Sequence, residues 1–237
     1  MQWMRAGRGT IHEEMWNIKH NKLIQKVEIY QLWVNLPSHS KLAPPRVTHL
    51  YNNNIPIYTT QGCSVKVISG TFSIHSSTEH KTGTGSNDSN SIINSSSSSS
   101  SDSKHSDIVG TEEYIGPGTA ESSSPIHISH IKLDSKEGII LTLPTISTVA
   151  VYIRRGSIIT SSSTEDSKEI SSCSLLTYNL KEGHNCDLSD LVIQSGFRGC
   201  DLLLLVGEPL NEPVSCLIHL ILILMYDSSV KLYLIFL

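Results

Sequence analysis

Apolar residues in this chain alternate with polar ones in short blocks, and the blocks end on glycine or proline. Residues 27–36, V-E-I-Y-Q-L-W-V-N-L, are rich in β-branched and aromatic side chains and stop at Pro37, which predicts a core strand. Pro44 and Pro45 then break the chain. Residues 55–70 carry two more strand patterns on either side of Gly62, and the second closes on Gly70. The pattern resumes at 126–133 and 148–159, punctuated by Gly138 and Gly156, and again at 175–180, 188–194 and 202–206. No long stretch keeps a helical period. Short strands spaced by turn signals predict an all-β sandwich or barrel.

Three segments need separate treatment. Residues 2–16 place Gly7 and Gly9 in a turn before a run of alternating character, which predicts loop into strand. Between residues 76 and 124 the composition collapses into Ser, Thr, Gly, Asn and Asp, with an unbroken serine run at 95–101. Such a segment has too little apolar surface to offset the entropy of ordering it, so it is expected to be a disordered insertion within a folded unit. Residues 217–226 are apolar apart from His219, and a second apolar run covers 232–237. Neither reaches the ~20 residues a membrane-crossing helix requires, so a short strand or helix is expected rather than a tail anchor.

Composition narrows the chemistry. The 237 residues can bury a substantial core, and the serine-rich stretch accounts for the modest hydrophobic fraction of 38%. Eighteen Lys and Arg against 22 Asp and Glu give a net charge of -4 with no basic run, which disfavours direct nucleic-acid binding. Cys63, Cys173, Cys186, Cys200 and Cys216 are odd in number and lack CxxC spacing, and residues 1–8 contain no apolar signal core. They are expected to be reduced and mostly buried in an intracellular protein. Trp3, Trp16 and Trp33 are expected to be packing residues. There is no G-x-S-x-G elbow, and none of the cysteines has a recognised nucleophile context, so Ser-His-Asp and Cys-His catalysis have little support.

One pair of residues carries candidate chemistry. On a strand, residues two apart share a face, so His12 and Glu14 could both enter a barrel interior and meet one ion, with Glu13 on the solvated side. Taken alone, an H-x-E pair is more often an exposed strand edge. Gly7 and Gly9 fit a tight backbone path into that strand; the rival reading, a phosphate-cradling loop, lacks the third glycine and the strand-to-helix context. His127 and His130, three apart, should face opposite sides of a strand, and His184 lies in a turn-like E-G-H-N, so solvated or capping roles are expected for all three.

The segment Q-W-M-x-A-G-R-G-x-x-H-x-E-M at residues 2–15 resembles the hallmark of pirins. The resemblance continues through Q-L-W-V-N-L-P at 31–37, Pro45-Arg46, V-K-V-I-S-G at 65–70 and L-V-G-E-P-L-N-E-P-V at 205–214. It implies a bicupin, two antiparallel β-barrel lobes in tandem. Residues 1–62 would be a remnant of the N-terminal, metal-binding lobe, and residues 63–214 the C-terminal lobe, interrupted at about 76–124. The tail at 215–237 is unlike the family.

By the same resemblance, one mononuclear iron is held by three histidines and a glutamate, and the hallmark's share of that set falls on His12 and Glu14. The other two histidines come from an upstream H-P-H-R-G type segment that this chain lacks, so the N-terminal lobe is expected to be incomplete. The implied activity is that of a quercetin 2,3-dioxygenase on a flavonol at Fe(II), with Glu14 as catalytic base. The alternative is a redox-sensitive transcription cofactor that docks a transcription factor, in cytoplasm or nucleus, as a monomer. A further alternative is a non-functional fragment whose open sheet edges, with the apolar tail added, invite aggregation.

Overall fold

The computed structural model of the chain describes residues 1–13, 27–76, 113–160, 167–179, 188–213 and 230–236. Among them, fourteen strands and two short 3-10 turns account for the regular structure. The strands are β1 (Gln2–Arg5), β2 (Val27–Trp33), β3 (Arg46–His49), β4 (Ile57–Thr60), β5 (Cys63–Ser69), β6 (Phe72–Ser76) and β7 (Glu113–Ile115). They continue with β8 (Ile126–Leu133), β9 (Gly138–Pro144), β10 (Thr148–Thr160), β11 (Lys168–Ser171), β12 (Ser174–Asn179), β13 (Leu188–Gly207) and β14 (Val230–Phe236). The all-β expectation holds.

Ten of these strands form one curled sheet, ordered β4-β5-β8-β13-β9-β6-β7, with β10 pairing β11, β12 and β13. The spine is β13. Its first part pairs with β9 through Leu188–Gln194, and its last part pairs with β8 through Cys200–Gly207. The two apolar runs at 188–194 and 202–206, expected as separate strands, are therefore one strand bent in the middle. Glycine makes the bend possible: Gly199 and Gly156 on the paired β10 both have positive φ, and a Cβ on Gly156 would lie 2.0 Å from the Gly199 carbonyl oxygen.

Alternation decides what each face buries. Val149, Val151 and Ile153 of β10, Leu202, Leu204 and Val206 of β13, and Ile131 and Leu133 of β8 fill the inside of the curl, together with Val65, Val67 and Leu141. Each such aliphatic side chain contributes ~1.5–3 kcal/mol on burial. The opposite face carries a second cluster, Leu50, Ile55, Ile68, Ile126, Ile128, Ala150 and Leu205, covered by Trp3, Leu32 and Val34. One sheet thus separates two cores.

β9 was legible only as a glycine at its start. The reason is that G-I-I-L-T-L-P is buried on both faces and shows almost no alternation. β7 falls within the segment expected to be disordered; Ile115 is fully buried and the strand pairs with β6. Residues 77–112 of that segment lie outside the described residues. Of the apolar tail, 230–236 forms β14, parallel to β2 from Val230↔Val27 to Phe236↔Trp33, while 214–229 lies outside the described residues. Among the described residues no helix is long and apolar enough to cross a membrane.

Candidate functional site

The segment that carries the sequence motif begins as a ribbon. β1 pairs antiparallel with β3, Gln2↔His49 through Arg5↔Arg46, and the Trp3 indole N–H donates to the Glu121 carbonyl at 2.8 Å. The chain then turns at Gly7 and Gly9, both at positive φ. A Cβ at Gly7 would lie 1.9 Å from the Ala43 carbonyl oxygen, which itself accepts the Arg8 N–H at 3.0 Å. Only glycine fits this clamp, as the sequence indicated.

Beyond the turn the expectation and the structure part. The ladder with β3 ends at Arg5, and Ile11, His12 and Glu13 follow as exposed, irregular backbone rather than as a strand. Among the described residues no strand pairs with residues 11–13. Glu13 is solvated, as expected; Glu14 lies outside the described residues. Among the described residues no group of three His, Cys, Asp or Glu side chains could hold a metal ion.

His127 and His130 both have partners. His127 is half-buried on β8, and its Nδ1 accepts the Thr71 N–H at 3.0 Å; burial holds its pKa below the ordinary histidine value. His130 faces the other way, where its Nε2 lies 2.6 Å from Asp201 Oδ1. Arg154 ties this pair to β2, its NH1 donating to Asp201 Oδ2 at 2.8 Å and its Nε to Glu28 Oε2 at 3.0 Å. Burial pushes the Asp201 carboxyl up, but the hydrogen bond and charge of His130, with Arg154 and Lys132, outweigh it and leave the group below its usual range. For Glu28 burial likewise raises the pKa, and Arg154 and Arg155 more than reverse it. Sequence reasoning missed this four-residue cluster. Its only signal was a charged residue interrupting each of three apolar strands. His184 lies outside the described residues.

Cys63 and Cys200 are buried thiols. Burial drives the Cys63 thiol up to about 11 and the Cys200 thiol up to about 12, so both are protonated near neutrality. Cys173 is exposed, contrary to the general expectation of burial, while Cys186 and Cys216 lie outside the described residues. Trp3 packs on the second core, but Trp33 is 43% exposed at the end of β2; Trp16 lies outside the described residues.

Comparison with known proteins places the chain. No protein-family model matches it. Pirin-like protein 2 of Arabidopsis thaliana is 43% identical over 70 residues, covering 30% of this chain and 20% of that protein. A Pseudomonas aeruginosa protein named "Putative quercetin 2,3-dioxygenase" is 24% identical over 216 residues, 90% of this chain and 57% of the relative. The match thus spans about a fifth of the Arabidopsis protein and little more than half of the Pseudomonas one. In three dimensions it matches a solved Geobacillus kaustophilus protein with a TM-score of 0.57 at 20% identity, over 90% of this chain and 65% of that one. The chain is thus similar in sequence to pirin-like proteins over about 70 residues, and it shares the fold of the Geobacillus protein.

Proposed function

We propose that the chain is a pirin-like protein of the quercetin 2,3-dioxygenase type, and that it contributes His12 and Glu14 to a mononuclear iron site acting on a flavonol. The observation that carries this reading is the hallmark segment at residues 2–15, in a chain related both to pirin-like proteins and to a protein named for that activity. The barrel described above supports placing the chemistry outside its interior, because the side chains filling that interior are almost all aliphatic.

The described residues do not by themselves complete a metal site, since no group of three His, Cys, Asp or Glu side chains gathers among them and Glu14 lies outside them. Imidazole and carboxylate suit Fe(II), but two protein ligands hold such an ion weakly. Iron retention by this chain is accordingly expected to be weak and to depend on both side chains.

Metal analysis after dialysis against Fe(II) under argon tests the assignment. His12→Ala and Glu14→Gln should each lower retained iron by about tenfold relative to His75→Ala, a histidine on β6. Equal retention by all the variants and the parent would remove His12 and Glu14 from the site. Oxygen uptake dependent on added flavonol, abolished by either substitution, is the expected activity. Iron held through His12 and Glu14 without that uptake would exclude the dioxygenase chemistry while keeping the metal assignment.

A further inference from the structure

The β1–β3 ribbon sets Arg5 directly opposite Arg46, and Trp3 opposite Thr48, so four side chains share one face. Facing them is the segment 119–123, held by the Trp3 indole hydrogen bond to Glu121 and by the Thr119 hydroxyl, which donates to the Asn54 carbonyl at 2.7 Å. Between ribbon and segment lies an open groove of about 110 Å³, lined by Trp3, Arg5, Arg46, Thr48, Thr119 and Glu121 among others. That volume takes a small ionic group and a few further atoms.

The charge in this groove is unbalanced. Like charges placed directly across an antiparallel pair repel. Glu121 offsets only one of them, its Oε2 lying 2.5 Å from Arg46 NH1. Arg5 gives its Nε–H to the Pro44 carbonyl at 3.3 Å, and its terminal nitrogens make no hydrogen bond among the described residues. Two guanidinium forks therefore line a groove that holds one carboxylate, and only Arg46 meets it, with donors to spare on both, beside the indole of Trp3. Guanidinium forks match planar or tetrahedral oxyanions bidentately, and the Glu121 carboxylate already demonstrates that such a group seats against Arg46.

We propose that this groove is a binding site for a small oxyanion, a carboxylate or a phosphate monoester, which bridges Arg5 and Arg46 in competition with the Glu121 side chain. His12 is not among the residues that line the groove, and the proposal does not depend on the iron reading. Competition gives it a signature that a merely structural Arg46–Glu121 pair lacks: removing the resident carboxylate strengthens the site instead of weakening it.

Calorimetric titration of the full chain with inorganic phosphate and with benzoate, at low and at moderate salt, tests this. Saturable binding of at least one probe is expected, weakening as salt rises. Arg5→Gln and Arg46→Gln should each reduce the affinity about tenfold, and Glu121→Gln should raise it severalfold. Whichever probe binds more tightly identifies the group preferred. Far-UV circular dichroism of each variant confirms that it is folded. Absence of saturable binding to both probes overturns the proposal, and so does a folded Glu121→Gln variant whose affinity is unchanged or lower.

Discussion

Gly7 shows how a single residue can be fixed by geometry that the sequence only hints at. Its φ of +52° suits glycine, and a methyl group there would collide with the Ala43 carbonyl. Gly7→Ala should therefore cost about 1–3 kcal/mol in denaturant unfolding; Gly9→Ala is strained by its φ of +116° alone, since a Cβ there meets nothing within 4 Å. A Gly7→Ala variant as stable as the parent would contradict the clamp. The need for glycine was legible from the spacing of the two residues, but the carbonyl that enforces it was not, since Ala43 reaches the turn only through the β1–β3 pairing. The same limit applies to His12: the motif singles it out, while its exposure follows from the ladder ending at Arg5, which no local pattern announces.

At the level of elements, β2 is held to the sheet by charge as well as by apolar contact. Glu28 meets Arg154, Arg154 meets Asp201, Asp201 meets His130, and Tyr30 packs edge-on against Tyr152 with ring centroids 5.9 Å apart. Both carboxyls titrate below their ordinary values in the folded chain, so their contribution is complete above the unfolded-state range and disappears as pH falls through it, from about pH 4 downward. His127, depressed by burial, acts earlier in the same direction: the unfolded chain takes up a proton as pH falls below about 6.5, before the folded chain does, and stability drops. Melting temperature should thus decline in two stages on acidification. His127→Gln should remove the first stage and Asp201→Asn should blunt the second. A parent profile flat from neutrality to pH 5 would refute the His127 part. Sequence patterns placed β2, β8 and β10 correctly, yet could not join residues separated by as many as 126 positions.

In the whole molecule, β13 ties the parts together, since it pairs with β8, β9 and β10 at once. Leu204, fully buried in its last part, sits opposite Val151 on one neighbour and Ser129 on the other. Leu204→Ala should cost about 2–5 kcal/mol, a large share of a typical domain's total, while circular dichroism and tyrosine fluorescence still report one shared transition. Two separated transitions would show that the sheet is not one cooperative unit. The all-β class was readable because most strands alternate on a half-buried sheet. β9 was not, being buried on both sides, and neither was the continuity of β13, whose bend looks in sequence like a boundary.

The C-terminal apolar run looked from its composition like a liability, but residues 230–236 lie alongside β2 as its parallel neighbour. In that position they act as a stopper on an otherwise sticky ribbon, taking up main-chain groups that would be offered to the next molecule. A version of the chain trimmed of this run, meant to be better behaved, would come out of solution sooner than the original.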